Sequence, residues 1–278
     1  MSYNYCSEVG VALVAYKMDL DLVHRLSNSV GKFDYAYKVV CDNSPTESLK
    51  NLFVSLGWTY LHRPDNPGFG ASHNLILDKF GSRSKFHFIV NPDISFNVGI
   101  LLKLVSFLVS NNSAVCVAPK IINPDGSDQL LHRRTPSVFN LAFRRFPIKF
   151  VRNWAVRRSL IHVDDGFDGY LSVPFVSGCC VLYRSDVIQS EIGFFDERYF
   201  MYFEDADLSR KFWVYGLTPY VLFSAVVEHD FARESIKSLR MFLIHFKSTV
   251  KYFVKWGFME GYRIDKLAEE FNKNLLKS

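Results

Sequence analysis

The sequence has no apolar run long enough to cross a bilayer. About 20 consecutive apolar residues are needed, and the longest run, "VPFVSGCCVLY", is shorter and contains both proline and glycine. The N-terminus, "MSYNYCSEVG", has no basic leader and no long apolar core, so a signal peptide is not expected. Cysteines are scarce: Cys6, Cys41, Cys116, Cys179 and Cys180 are an odd number, and none forms a C-x-x-C pair. That pattern argues against a disulfide framework and a cysteine zinc site, and suits a reduced, cytoplasmic setting. Two glycine signatures are also missing. A dinucleotide site needs G-x-G-x-x-G directly after the first strand, and "VALVAYKMD" has no glycine there. No G-x-x-x-x-G-K-[ST] occurs either. Dinucleotide oxidoreductase and P-loop NTPase chemistry are therefore unsupported. A net charge of +5 is too mild to imply nucleic acid as a partner.

What is present is a sizeable apolar fraction, 49%, with 26 phenylalanines in 278 residues. That suits one large α/β domain, or one domain with a small appendage. "VGVALVAY" (9–16) reads as a buried parallel strand. A helix follows over 20–30, a strand over 35–44, a helix over 46–57 and a short strand over 58–63. Further helices are expected over 70–81 and 99–111, and strands over 85–96 and 114–121. This alternation predicts a doubly wound, mostly parallel sheet. From 123 to 170 the pattern breaks into an irregular, basic stretch carrying Arg133, Arg134, Arg144, Arg145, Lys149, Arg152, Arg157 and Arg158. Regular patterning returns over 173–188 and 219–230, and 235–278 reads as helical.

Ligands bind such sheets at the carboxyl ends of strands. That rule nominates Tyr16, Asp42 with Asn43, Arg63, Asn91 with Asp93, and His229 with its acidic neighbours Glu228 and Asp230. A second concentration of chemistry lies in "GFFDERYFMYFEDADLSRKFW" (193–213). Asp196, Glu197, Glu204, Asp205 and Asp207 are interleaved there with Phe194, Phe195, Tyr199, Phe200, Tyr202 and Phe203. A solvated acidic surface rarely carries so many large aromatics, and an unpaired buried carboxylate is costly. Asp205 and Asp207 fall where a first helical turn favours acids, an interaction worth about 1 kcal/mol.

The segments "VALVAY", "CDNS", "NPGFGASHN", "FIVNPDISF", "VSGCCVLYRSDV", "GFFDERYFMYFEDADLSRKFWVYG" and "VVEHD" resemble, in order and spacing, the family 2 glycosyltransferases, most closely the bacterial rhamnosyltransferase-like branch. The resemblance covers about residues 8–256. It implies a GT-A fold and a metal-dependent enzyme that inverts the anomeric centre. The implied donor is a nucleoside-diphosphate sugar, favoured as dTDP-rhamnose, with a UDP-sugar as the alternative. The implied acceptor is a lipid-linked saccharide of a surface polysaccharide such as O-antigen or capsule. A non-catalytic glycan- or lipid-binding subunit is the reading from outside enzymology.

Residue by residue, the resemblance implies Asp93 and His229 as ligands of Mn²⁺ or Mg²⁺. Asn91 stands where the family's fuller motif has an earlier acid. Asp205 is implied as general base, with Glu204 beside it. Tyr16, Asp42, Asn43, Arg63, Asn66, Gly68, Gly70, Asn74 and Gly178 complete the expected nucleotide-sugar site. The implied organisation is a catalytic domain over 1–230, with the basic insert at about 123–170 on the acceptor side, and a helical extension over 231–278. In that extension Lys237, Arg240, Lys247, Lys251 and Lys255 fall within about 80° of one another on a helix. A basic stripe of this kind either contacts anionic lipid at the inner face of the plasma membrane or stands in solvent on a packed helix.

Overall fold

A computed structural model describes residues 5–143, 148–161, 163, 166–230, 239–258 and 261–275. Arg144, Arg145 and Lys237 lie outside the described residues. The N-terminal half runs β1 (Val9–Ala15), α1 (Leu20–Val30), β2 (Tyr37–Asp42), α2 (Lys50–Ser55), β3 (Thr59–His62), α3 (Phe69–Phe80), β4 (Phe86–Val90), β5 (Ile94–Ser95), α4 (Val98–Ser110) and β6 (Ala114–Ile122). The C-terminal half runs α5 (Val138–Phe143), α6 (Lys149–Arg158), β7 (Tyr170–Ser172), β8 (Cys180–Arg184), α7 (Ser185–Ile188), α8 (Glu204–Val214), β9 (Thr218–His229), α9 (Leu239–Trp256) and α10 (Gly261–Leu275).

The strand order is β3-β2-β1-β4-β8-β6-β9-β5, with β7 also paired to β9. The first four strands are mutually parallel. β8 then enters antiparallel between β4 and β6, and β6 and β9 pair in parallel. β1 reads as an unbroken apolar run because it is central and covered on both faces. α1, α2 and α4 pack on one face, through Val23, Leu26, Phe53, Leu101 and Leu104. On the other face α3 and α8 contribute Leu77, Leu208 and Phe212. Asp19 caps α1 by accepting from the Leu22 N–H at 2.8 Å. α2 is shorter than the sequence pattern suggests. It begins after Leu49 without a side-chain cap, so Thr46 does not cap it.

The C-terminal segment is two helices rather than one, and both are built into the body. Gly257, in the left-handed region at φ 71°, follows α9 and ends it. α10 is pinned by Asn272. Its side-chain oxygen accepts from the Ser172 N–H and hydroxyl at 2.8 Å each, and its amide donates to the Ser172 carbonyl at 2.9 Å. α9 is held more tightly still. Lys255 donates to Asp196 and to Asp207 at 2.8 Å each. Trp256 donates its indole N–H to Asp207 at 2.6 Å. The guanidinium of Arg210, almost fully buried, stacks over the Trp256 ring at 4.9 Å and donates to the Trp256 carbonyl at 3.0 Å.

These contacts correct two expectations. Lys255 is not on a free basic stripe: it bridges two carboxylates, while Lys251 donates to the Arg198 carbonyl. Asp207 is not simply a helix-dipole acid. It is fully buried and receives Lys255, Trp256 and the Tyr199 hydroxyl. Breaking a buried ion pair strands the remaining charge and costs about 3–5 kcal/mol, well above the helix-end value. Asp207→Ala is therefore expected to lower unfolding stability by about 3 kcal/mol, read from urea denaturation. A loss of about 1 kcal/mol would return Asp207 to a capping role.

Candidate active site

The strands deliver their carboxyl ends to one crevice, bounded by the loops after β1, β2, β3 and β4. At its outer edge Tyr16, just past β1, is half exposed, with the Lys17 ammonium 5.4 Å from its ring centroid. Its exposed ring face can stack on a planar base. Asp42 and Asn43 are buried and turned inward. The Asp42 carboxylate accepts from the Ser44 N–H at 2.9 Å and the Tyr60 hydroxyl at 2.6 Å. Asn43 accepts from the Ser72 hydroxyl at 2.9 Å. Both residues shape this edge from below. Arg63 forms a two-pronged pair with Asp65, at 2.9 and 2.7 Å, and Asn66 sits in the left-handed region at φ 45°.

The glycines in "NPGFGASHN" have a reason the sequence did not reveal. Gly68 has φ 103°, and a Cβ built on it would lie 2.1 Å from the Phe200 carbonyl oxygen. A Cβ on Gly70 would lie 2.8 Å from the Cβ of Phe195. The backbone that approaches here is the chain's own 195–200 segment. Asn74 acts on the same segment. It accepts from the Phe195 N–H at 3.0 Å and donates to the Phe195 carbonyl at 2.9 Å and to Glu197 at 3.0 Å. Its polar atoms are thus engaged by the 195–197 segment.

Asp93 and His229 meet. β5 pairs antiparallel with β9, placing Ile94 opposite His229, and the Asp230 N–H donates to the Asp93 carbonyl at 3.0 Å. Asp93 Oδ1 then faces His229 Nε2 at 3.1 Å. The imidazole is oriented from behind by Gln129. Gln129 Nε2 donates to the carbonyl oxygens of His229 at 2.7 Å and of the Asn123 side chain at 3.0 Å. That assigns Gln129 Oε1 as the acceptor for His229 Nδ1 at 3.0 Å. Gln129 thus orients the imidazole so that Nε2 faces Asp93. Buried Oδ1 takes no hydrogen bond from a described residue. An Nε2–H would bond Asp93 directly, and without that proton a cation can join the two atoms. Adjacent ligands of a six-coordinate ion at about 2.1 Å are about 3.0 Å apart, so the pair fits a divalent cation. No cluster of three or more His, Cys, Asp or Glu side chains with metal-binding geometry occurs among the described residues. Asp93 and His229 are two side chains that could hold such a cation together.

The acids of the 193–213 stretch divide into two groups. Asp196 is structural: Arg198 holds its carboxyl well below the usual range, with Lys255 adding to the effect. Glu204 and Asp205 open α8 at a strained bend. Tyr202 and Phe203, at φ 68° and 70°, are consecutive non-glycine residues in the left-handed region, which costs about 1–2 kcal/mol each. α9 holds them there. The Tyr202 ring lies 5.3 Å from that of His245, and the Phe203 ring 5.3 Å from that of Tyr252. Ser248 donates to the Met201 carbonyl at 2.8 Å. The aromatics of the stretch thus pack on the core and on α9.

The two carboxyls differ. Asp205 is partly exposed and accepts from the Gly178 N–H at 3.1 Å and the Ala206 N–H at 2.8 Å. Burial raises its pKa, and those two N–H groups oppose the rise. Glu204 is 6% exposed, and its Oε2 has no hydrogen-bond partner. Burial, then the neighbouring Asp205 charge, pushes its carboxyl well above the usual range. Two raised carboxyls side by side disfavour a doubly ionised pair. Segment 177–179 links the two halves of the site: the Asn91 N–H donates to the Cys179 carbonyl at 2.8 Å, while the Gly178 N–H holds Asp205. Both Asp93 and Asp205 act on the Cys179 thiol, which burial pushes up to about 12.

No family model matches the chain. The N-acetylglucosaminyl-diphospho-decaprenol L-rhamnosyltransferase of Mycobacterium tuberculosis is 28% identical over 198 residues, 66% of this chain and 62% of its own length. Rhamnosyltransferase WbbL of Escherichia coli K12 is 22% identical over 270 residues, 91% of this chain and 95% of its own. A structure of GalNAc-T7 with UDP, GalNAc and Mn²⁺ superposes with a TM-score of 0.59 at 13% identity, over 81% of this chain and 44% of that one. The chain is similar to these glycosyltransferases, and its fold is GT-A. It spans 62% of the length of the mycobacterial relative.

Within this GT-A frame, Gln129 is the residue that sequence reasoning missed. It lies in the irregular 123–170 stretch, where no periodicity marks it, and only the return of the chain to β9 gives it a partner. Glu204 generates a stability prediction. Its pKa is raised in the folded state, so its contribution is fully present below the unfolded value and is lost as pH rises through the folded value. Each unit of that rise is worth about 1.4 kcal/mol. Glu204→Gln is expected to raise the melting temperature at pH 8, with the gain vanishing towards pH 4. A gain independent of pH would remove the buried carboxyl from the explanation.

Proposed function

We propose that this chain is an inverting glycosyltransferase that moves a sugar from a nucleoside diphosphate to a hydroxyl of a lipid-linked saccharide. The observation that carries the reading is segment 177–179, which bonds the Asn91 N–H two residues before Asp93 and, through the Gly178 N–H, Asp205. The rhamnosyltransferase names of the relatives favour dTDP-rhamnose as donor and a diphosphopolyprenyl-linked acceptor, in surface polysaccharide assembly at the cytoplasmic face of the membrane. Residues 1–230 form the catalytic unit in this reading, and 231–278 the extension that braces it.

Asp93 and His229 would hold Mn²⁺ or Mg²⁺, which when bound supplies neutralisation of the diphosphate charge during departure. Gln129 keeps His229 Nε2 turned towards Asp93. The exposed ring of Tyr16 takes the base. The Asp205 carboxylate, held by two N–H donors, accepts the acceptor hydroxyl's proton. The acceptor oxygen forms the new bond to the anomeric carbon. The carbon–phosphate oxygen bond breaks on the opposite face, and its electron pair leaves with the diphosphate. The raised pKa of Asp205 makes it a stronger base than an exposed carboxylate.

Asp205→Asn keeps the shape and removes the proton acceptor. It is expected to lower turnover by about 10²–10⁴-fold with donor affinity little changed. Glu204→Gln is expected to retain most turnover. The assay is sugar transfer from a panel of nucleotide sugars with Mn²⁺. Near-normal turnover in Asp205→Asn with an inactive Glu204→Gln would move the base by one residue, and full activity in both would sink the mechanism. For the metal, Asp93→Ala should abolish Mn²⁺-dependent nucleotide binding. Gln129→Leu should weaken Mn²⁺ affinity about 10–100-fold, as loss of an outer partner of a ligating histidine does. Unchanged Mn²⁺ titrations by electron paramagnetic resonance in both variants would refute the site.

A further inference from the structure

α9 is amphipathic in an unusual sense: its outward face is apolar. Leu239, Leu243, Phe246, Val250 and Val254 recur at spacings of three and four, forming one ridge along the helix. All five are exposed, Leu239 at 75% and Val254 at 81%. The opposite face is the buried one, carrying Ser248 and Tyr252. Arg240, Lys247 and Lys251 line one edge of the ridge, and the sequence from 239 to 258 contains no acid. The other edge adjoins α5, whose Leu141 packs in the same cluster as Tyr252 and Phe253, and α6 packs on α5. That corner exposes Phe150 at 79% and Trp154, whose ring lies 5.4 Å from the Arg158 guanidinium. A contiguous apolar patch of this extent on a globular surface marks an interaction site.

We propose that the outer ridge of α9, together with the α5–α6 corner, docks this chain on an anionic lipid bilayer. The charge favours this occupant. An apolar ridge edged only by cations, beside an exposed tryptophan–arginine pair, matches a surface with negative headgroups above acyl chains. A groove of about 610 Å³, lined by Leu239, Leu243, Arg240, Lys247 and Phe200, runs beside the ridge. Phe200 accepts the Phe69 N–H at 3.0 Å at the head of α3, so the docked surface adjoins the crevice. A lipid-linked acceptor would reach the site without leaving the bilayer. The docking surface does not include Lys255, which is bound to Asp196 and Asp207.

The full chain is sedimented with phosphatidylcholine vesicles with and without phosphatidylglycerol. Binding should appear with the anionic vesicles and weaken as salt rises. Lys247→Ser should weaken it about fivefold, the effect of one basic residue near such a surface. Phe246→Asp with Val254→Asp should abolish it, while thermal unfolding stays near that of the parent chain because both side chains stand in solvent. Failure to bind anionic vesicles overturns the proposal. So does a dimer in lipid-free sedimentation that these two substitutions dissociate, since the ridge would then belong to a second copy. Binding that survives both the charge and the apolar substitutions also overturns it. The docking surface stands apart from the transferase reading: vesicle binding without sugar transfer would refute that reading alone, and transfer to a short water-soluble acceptor without vesicle binding would refute docking alone.

Discussion

The contact on which the site depends is the one between Asp207 and the end of α9. A fully buried carboxylate receives an ammonium and an indole N–H from the last turn of a helix about fifty residues later. A buried charge tolerates no loose partner, because desolvation makes an unpaired state expensive. α9 is thereby fixed in register against α8. Its remaining turns then have defined neighbours: Ser248 for the Met201 carbonyl, and His245 and Tyr252 for the rings of Tyr202 and Phe203. Those two residues occupy a backbone region that bulky side chains avoid. They remain in it because the helix above them over-determines their positions. Glu204 and Asp205 follow directly, so the carboxylate geometry is set by a segment that does not touch the crevice.

A second constraint brings the other half of the site together. β5 is only two residues long, yet its pairing with the end of β9 determines that Asp93 and His229 face each other. Gln129 then orients the imidazole so that Nε2 is the nitrogen facing Asp93. Together with segment 177–179, these pieces join parts of the chain that are far apart in sequence. The mixture of acids and aromatics over 193–213 follows from the same division. Its aromatics pack inward and against α9. Asp196 and Asp207 anchor that helix, and Glu204 and Asp205 belong to the crevice.

The fold class was legible in the sequence because its signals are local. An unbroken apolar run marks a strand buried on both faces, and helical spacing marks the helices between. α1 and β1 match the expected spans to within a residue. The antiparallel entry of β8 was not legible, since strand direction depends on where the chain re-enters after an irregular stretch. The candidates Asp93, His229, Asp205 and Glu204 were nominated by their order along the chain, and the structure pairs Asp93 with His229. Gln129 was not, because a single glutamine in a patternless stretch carries no signal until its partner is known.

The sequence by itself determined which residues could be strands and helices, and which acids and histidine could do chemistry. Those properties depend on local periodicity and on residue type. Only the tertiary structure decided how each acid is used. Asp207 and Asp205 share one helical turn, yet one is anchored by Lys255 and the other opens to the crevice. It also decided that the glycines at 68 and 70 accommodate the 195–200 segment, that Asn74 clamps that segment, and that α9 turns its apolar ridge outward. These outcomes depend on burial and on partners distant in sequence, and both exist only once the chain has closed on itself.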